Sequence, residues 1–209
     1  MIHPDTDLRF ISPEIGWGVV ATKLIPKGTI TWVFDPLDQV FTPDDIRLLH
    51  PVYREKLQTY CYRDNEGNFV LCWDNARFVN HSFNSSCMST AYNFEMAVRD
   101  IHPGEELTDD YGYLNITEPF DCLPENGSTR SRVMPDDLLT FHEEWDAKLR
   151  DAFKLLSEVR QPMIGLIEKK YFQKVAEVAS GKAEMDSIIS CYYPGKDNVF
   201  AEFGDKIIR

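Results

Sequence analysis

RDIHPGEELTDDYG, residues 99–112, sets Tyr111 just past a short acidic strand, after a break at Pro103-Gly104. Upstream, RFVNHS at residues 77–82 follows a strand-like run. It offers an amide, Asn80, beside an imidazole, His81, in a polar loop where both could meet one ligand. Further upstream, Gly16-Trp17-Gly18 reads as a turn between strands, and its glycines let a backbone approach a ligand closely. Taken singly, each segment has an ordinary structural reading: a tight turn, a structural histidine, a core tyrosine. No catalytic triad, phosphate loop or HExxH metal motif occurs in the sequence.

Around these segments the chain reads as β-rich to about residue 130. Val19-Val20, Thr29 to Phe34 and Val40-Phe41 are short β-branched or aromatic runs punctuated by Gly and Pro. Thr42, followed by Pro43, Asp44 and Asp45, caps a helix to about Leu49, and Pro51 opens another to about Thr59. Strands are predicted again at Tyr60 to Arg63, Phe69 to Trp73 and Tyr92 to Arg99, with a loop over residues 115–134. From Pro135 the pattern changes. Leu138, Trp145, Leu149, Ala152, Phe153, Leu156 and Val159 form an apolar stripe at helical spacing that Pro162 ends. A second helical stretch covers about 163–180, stopped by Gly181. The stripe predicts packing onto the β-rich part, with dimerisation or substrate docking as alternatives.

The 209 residues suit one domain with an appendage, and 43% apolar and 27% charged residues are ordinary globular values. Lys and Arg number 22 against 34 Asp and Glu, a formal net charge of −12. Residues 1–117 hold 9 basic and 17 acidic side chains, net −8. Such a balance disfavours direct nucleic-acid binding, which needs a basic footprint, and favours a basic, Lys-rich protein or peptide partner. No apolar run approaches the length of a membrane span, and the first residues lack the apolar core of a secretory signal. Five scattered cysteines without a CxxC pair fit a reducing compartment. The expected location is cytoplasmic, with delivery into a host cell or nucleus left open.

In this order and spacing, Gly16-Trp17-Gly18, RFVNHS and RDIHPGEELTDDYG resemble the SET-domain protein lysine methyltransferases, in a short, free-standing, bacterial-looking form. The resemblance covers residues 8–132 and leaves 135–209 as a helical C-terminal extension. It implies a mainly β fold of small curved sheets in which the strand before Tyr111 threads under a preceding loop, a pseudoknot. It also implies S-adenosylmethionine as cofactor, S-adenosylhomocysteine as its product, and a substrate lysine entering from the opposite face. Tyr111 matches the catalytic tyrosine. Gly16, Trp17, Gly18, Asn80 and His81 match the cofactor side, and Phe120 or Leu123 stands where the family covers the adenine. Trp32, Phe34, Tyr60, Tyr62 and above all Tyr113 are the aromatic candidates for the lysine channel.

Two departures from the family pattern stand out. Four thiolates commonly bind a structural zinc beside this site. Here Phe83, Pro124 and Thr129 replace three of them and only Cys122 remains, so no zinc is expected. Packing of Phe83, Phe120 and Leu123 is the expected substitute. Asp109 occupies the position two before Tyr111 where many members place an aromatic that governs how many methyl groups are added. A carboxylate in an apolar channel is costly unless paired, so Asp109 is expected to face solvent or to leave the channel end to another aromatic. These departures keep open a second reading, a catalytically degenerate SET-like module that binds peptides by strand addition.

Overall fold

The computed structural model describes residues 1–195 and 197–200; the rest of the predicted extension, Lys196 and residues 201–209, lies outside the described residues. Five small sheets make up the β-rich part. β1 (Thr6–Ser12) pairs antiparallel with β2 (Gly16–Ala21) across the Gly16 turn, which has φ +84°. β3 (Ile30–Val33) is buried along its whole length and pairs with β9 (Phe94–Ala97), which also pairs with β8 (Cys87–Ser89). β4 (Gln39–Phe41), β6 (Phe69–Leu71) and β5 (Cys61–Arg63) form a third antiparallel sheet.

Between β4 and β5 lie two short helices, α1 (Pro43–Leu48) and α2 (Pro51–Tyr60). The Thr42 cap forms as its residues dictate: its hydroxyl accepts from Asp45 N at 3.1 Å, and the Asp45 carboxylate accepts from Thr42 N at 2.8 Å. Ile46 and Leu57 anchor the pair on Phe69 and Val199 in a small apolar cluster of their own.

The pseudoknot is present. β7 (Asn80–His81) and β10 (Thr108–Asp109) run parallel, pairing Asn80 with Thr108 and His81 with Asp109. Ser82 N donates to Asp109 O at 2.9 Å, and Ser86 N donates to Thr108 O at 3.1 Å. β10 therefore lies between the two limbs of the 80–86 loop, bonded to both. β11 (Phe120–Asp121) and β12 (Arg132–Val133) then close a short hairpin.

The C-terminal part is helical, as the apolar stripe predicts, but its helices are shorter. α3 covers Asp137–Phe153 and α4 covers Lys169–Ala179. Residues 154–161 leave the helix because tertiary bonds outcompete helical ones. Gln161 accepts from Ile30 N at 2.9 Å and donates to Gly28 O at 2.7 Å, while Leu155 lies against Gly28, where a side chain would sit 2.8 Å from its Cβ. Trp145, Leu149, Phe153, Val175 and Ile188 join Ile30, Met88, Phe94 and Tyr113 in one apolar core. Among the described residues no helix is long and apolar enough to cross a membrane.

Candidate active site

Tyr111 opens a short 3-10 turn, Tyr111–Tyr113, immediately after the threaded strand. Asp110 caps this turn by accepting from Gly112 N at 3.0 Å. The Tyr111 hydroxyl donates to Val79 O at 2.7 Å, and its backbone N–H donates to His81 Nδ1 at 3.1 Å. Both bonds reach the 79–81 segment, so the knot fixes the ring at both ends. Burial, with Asp109, Glu106 and Glu95 nearby, pushes the hydroxyl well above the usual tyrosine range. It is therefore a neutral hydroxyl at physiological pH, with its own proton committed to Val79 and its lone pairs free to accept.

His81 accepts through Nδ1, so its remaining proton sits on Nε2. That Nε2 is buried without a partner. Burial lowers the imidazole pKa to about 4, which keeps the ring neutral. Phe83, Tyr111 and Phe120 surround it, with ring centroids 4.5, 5.4 and 5.9 Å away. Asn80 spends its amide hydrogens on Trp17 O (3.0 Å) and Glu106 Oε1 (2.5 Å), tying the Gly16-Trp17-Gly18 turn to the knot. A side chain at Gly18 would sit 2.2 Å from Glu106 Oε1, so glycine is what lets this carboxylate reach Asn80. Glu106 went unnoticed in the sequence; its neighbour Glu105 and the acidic run disguise it as a solvated face. Trp17 itself is half exposed and meets Phe10 edge-on.

Beside Tyr111 lies a cavity of about 450 Å³. Trp32, Tyr60 and Tyr62 line it, together with Val79, Phe120, Glu95 and Asp109. Trp32 and Tyr62 meet edge to face at 5.9 Å. A second cavity of about 390 Å³ shares Trp32, Tyr62 and Glu95 with the first and adds Phe34 and Tyr113. Tyr113, the aromatic most strongly expected in the channel, is 2% exposed and packs edge-on against Trp145 at 5.2 Å in the core. Its hydroxyl accepts from Asp110 N and lies 3.0 Å from Asp109 Oδ1. The bend of the 3-10 turn carries it away from the face that Tyr111 presents.

Asp109 does not face solvent: it is 4% exposed and lines the cavity. Its partners are the Tyr113 hydroxyl and the Glu95 carboxyl, the latter a residue on β9 that sequence separation hid. Burial raises the pKa of both carboxyls, and their closeness favours a single proton shared between them.

The loop after Tyr111 is held by charge rather than by Leu123, which is 70% exposed. Glu125 accepts from Ser82 Oγ (2.8 Å), Phe83 N (3.2 Å) and Asn84 N (3.2 Å), clasping the knot loop. Arg130 pairs with the buried Asp110 and with Asp137 Oδ2 at 2.5 Å. Its guanidinium lies over Phe83 at 4.4 Å and Phe141 at 4.3 Å. Phe83 thus does pack as expected, under a cation, and Phe120 is half-buried beside His81. Arg130 fastens the loop and the Asp110 cap of the Tyr111 turn to α3. No cluster of three metal-binding side chains occurs among the described residues. EDTA dialysis is expected to leave the melting temperature unchanged; a fall of several degrees that zinc reverses would contradict this fastening.

A strand threaded through an Asn-His loop, with small sheets curled around it, places the chain in the SET fold class. Comparison with family models agrees: residues 16–112 match the SET domain, consistent with a SET-domain protein. The SET domain is in general a protein lysine methyltransferase module. Among curated proteins none matches the chain at a significant level.

Proposed function

We propose that the chain transfers a methyl group from S-adenosylmethionine to a lysine side chain of a basic protein. The observation that carries this reading is the Tyr111 hydroxyl on the wall of an aromatic cavity, with its proton donated to Val79 O at 2.7 Å and its lone pairs left to receive an amine. The residues fit the cofactor. The buried, unpartnered His81 Nε2–H is a donor awaiting an acceptor, and Phe120 and Tyr111 flank it with aromatic faces. The Gly16-Trp17-Gly18 turn would lie against the methionine end, held by Asn80.

When bound, S-adenosylmethionine supplies an electrophilic sulfonium methyl. Everything else falls to the chain. A lysine amine has a pKa near 10.4, so it arrives charged and non-nucleophilic. Trp32, Tyr60 and Tyr62 exclude water around its aliphatic stem. Once the ammonium has given up one proton, Tyr111 accepts one of the remaining N–H bonds and aims the nitrogen lone pair at the methyl group. Positioning of this kind is worth on the order of 7–11 kcal/mol in favourable cases, so no strong base need sit on the tyrosine. The acidic surface draws a basic substrate to the site.

The test is transfer of labelled methyl from S-adenosylmethionine to a panel of proteins, read by mass spectrometry. Methyl-lysine on basic proteins, falling as salt rises, supports the reading. Methyl groups on other side chains, or none on any protein, contradict it.

A further inference from the structure

Methyl transfer guided by Tyr111 leaves two inward carboxyls without a task. Asp109 and Glu95 line the same cavity as Tyr111 and lie close enough to act on each other. Neither has an ion-pair partner among the described residues. The Tyr113 hydroxyl lies 3.0 Å from Asp109, and Ser89 Oγ lies 3.4 Å from Glu95. Tyr62, Tyr111, Tyr113, Cys72, Cys87 and Asp110 bear on the pair, and the two cations on the cavity wall are engaged elsewhere, Arg63 with Asp197 at 2.8 Å and Arg77 with Trp73 O at 3.0 Å. The Met1 ammonium bears on Glu95, but it is already paired with Asp35 at 2.6 Å. A carboxylate placed here is expensive unless a cation comes to it. A separate feature points the same way. Trp32, 6% exposed and on the same wall, keeps a buried indole N–H without a partner, and with Tyr62 it offers aromatic surface of the kind that holds ammonium groups.

We propose that the Glu95–Asp109 pair receives the substrate ammonium in the aromatic cavity and takes its proton. This rests on the lysine methyltransferase reading and names the group that reading lacks. The pair enters with one proton and one negative charge. An N–H bond of the ammonium breaks, the proton forms an O–H bond on Asp109, and the electron pair stays on the lysine nitrogen. That nitrogen then forms the bond to the methyl carbon as the carbon–sulfur bond breaks. The product amine is cationic again, and the pair gives its extra proton to water as the cavity empties. Asp109 thus serves as proton acceptor and Glu95 as the positioning residue that shares the charge.

The test needs no turnover. n-Butylammonium chloride has the reach of a lysine side chain, and 1-butanol is its neutral counterpart. Each is titrated into the full chain while the Trp32 indole N–H resonance is followed, assigned through Trp32→Phe. The ammonium is expected to bind at least about tenfold more tightly than the alcohol, the worth of one charge-assisted hydrogen bond. Asp109→Asn, near-isosteric, is expected to abolish that preference while keeping S-adenosylhomocysteine affinity and the melting temperature. Glu95→Gln, which still offers Asp109 a neutral donor, is expected to keep the preference, and Glu95→Ala to weaken it. Ammonium binding is expected to weaken as pH falls through about 6, where the pair takes a second proton. In turnover, Asp109→Asn is expected to move the acidic limb of the kcat/KM profile to higher pH. Equal binding of alcohol and ammonium, no response of Trp32 to the ammonium, or a preference unchanged in folded Asp109→Asn would overturn the proposal. Such a result alongside intact methylation sinks the pair alone; ammonium preference without any S-adenosylmethionine binding sinks the methyltransferase reading instead.

Discussion

Tyr111→Phe is expected to cut turnover by about 100- to 1,000-fold, the usual loss when one positioned polar group is removed from a reacting centre. The ring stays, so its contacts with His81 and Phe120 stay too, at 5.4 and 6.2 Å. Affinity for S-adenosylmethionine is expected to hold, because the backbone bond from Tyr111 N to His81 survives the change. Stability is expected to fall by only about 1 kcal/mol, for the bond to Val79 O. The split matters more than either number. A variant that binds cofactor normally and fails to turn over places the hydroxyl in the chemical step. Because burial holds that hydroxyl far above neutral pH, a profile with a limb belonging to tyrosine ionisation is not expected. Turnover equal to wild type would remove Tyr111 from the mechanism.

Arg130→Ala carries the largest expected effect on stability. Its guanidinium is the cation shared by Asp110, which is fully buried, and Asp137, which is 5% exposed. Removing it leaves two uncompensated carboxylates and uncovers Phe83 and Phe141. Breaking a buried pair from one side costs about 3–5 kcal/mol. Chemical denaturation should show that loss, with faster amide exchange in residues 115–134. Arg130→Lys is not expected to restore it. An ammonium cannot present two forked faces to two carboxylates while lying flat between aromatic rings. A loss below about 1 kcal/mol, the level of a surface pair, would mean that the loop is held by something else.

Local chemistry explains which parts of this arrangement were legible in the sequence. The Thr42 cap, the Pro51 start and the apolar stripe of α3 depend on residues within one turn of each other, and they appear where the sequence puts them. RFVNHS and ELTDDYG were legible as segments because their order and spacing repeat a known pattern. Their pairing in β7 and β10 is only two residues long on each side and has no alternation that a sequence could display. The early end of α3 follows from Gln161 finding Gly28 and Ile30 more than 130 positions away. The sequence left open whether Asp109 faces solvent or leaves the channel end to another aromatic, because its partners, Tyr113 and Glu95, come from a turn and a separate sheet. Glu125 and Arg130 carried a missed signal that was readable: a loop stripped of its thiols still has to be fastened, and these are charged residues within it that bond to the knot and to α3 rather than to water alone.

Cofactor binding tests the central claim most directly. Calorimetric titration of the purified chain with S-adenosylmethionine and S-adenosylhomocysteine is expected to give one site per chain for each. Asn80→Ala is expected to weaken both by about tenfold or more, since it severs the tie from the Gly16-Trp17-Gly18 turn to Glu106 and the knot. A well-folded chain that binds neither ligand, even with a Lys-rich peptide present, would contradict the methyltransferase reading and leave a SET fold that recognises peptides without acting on them.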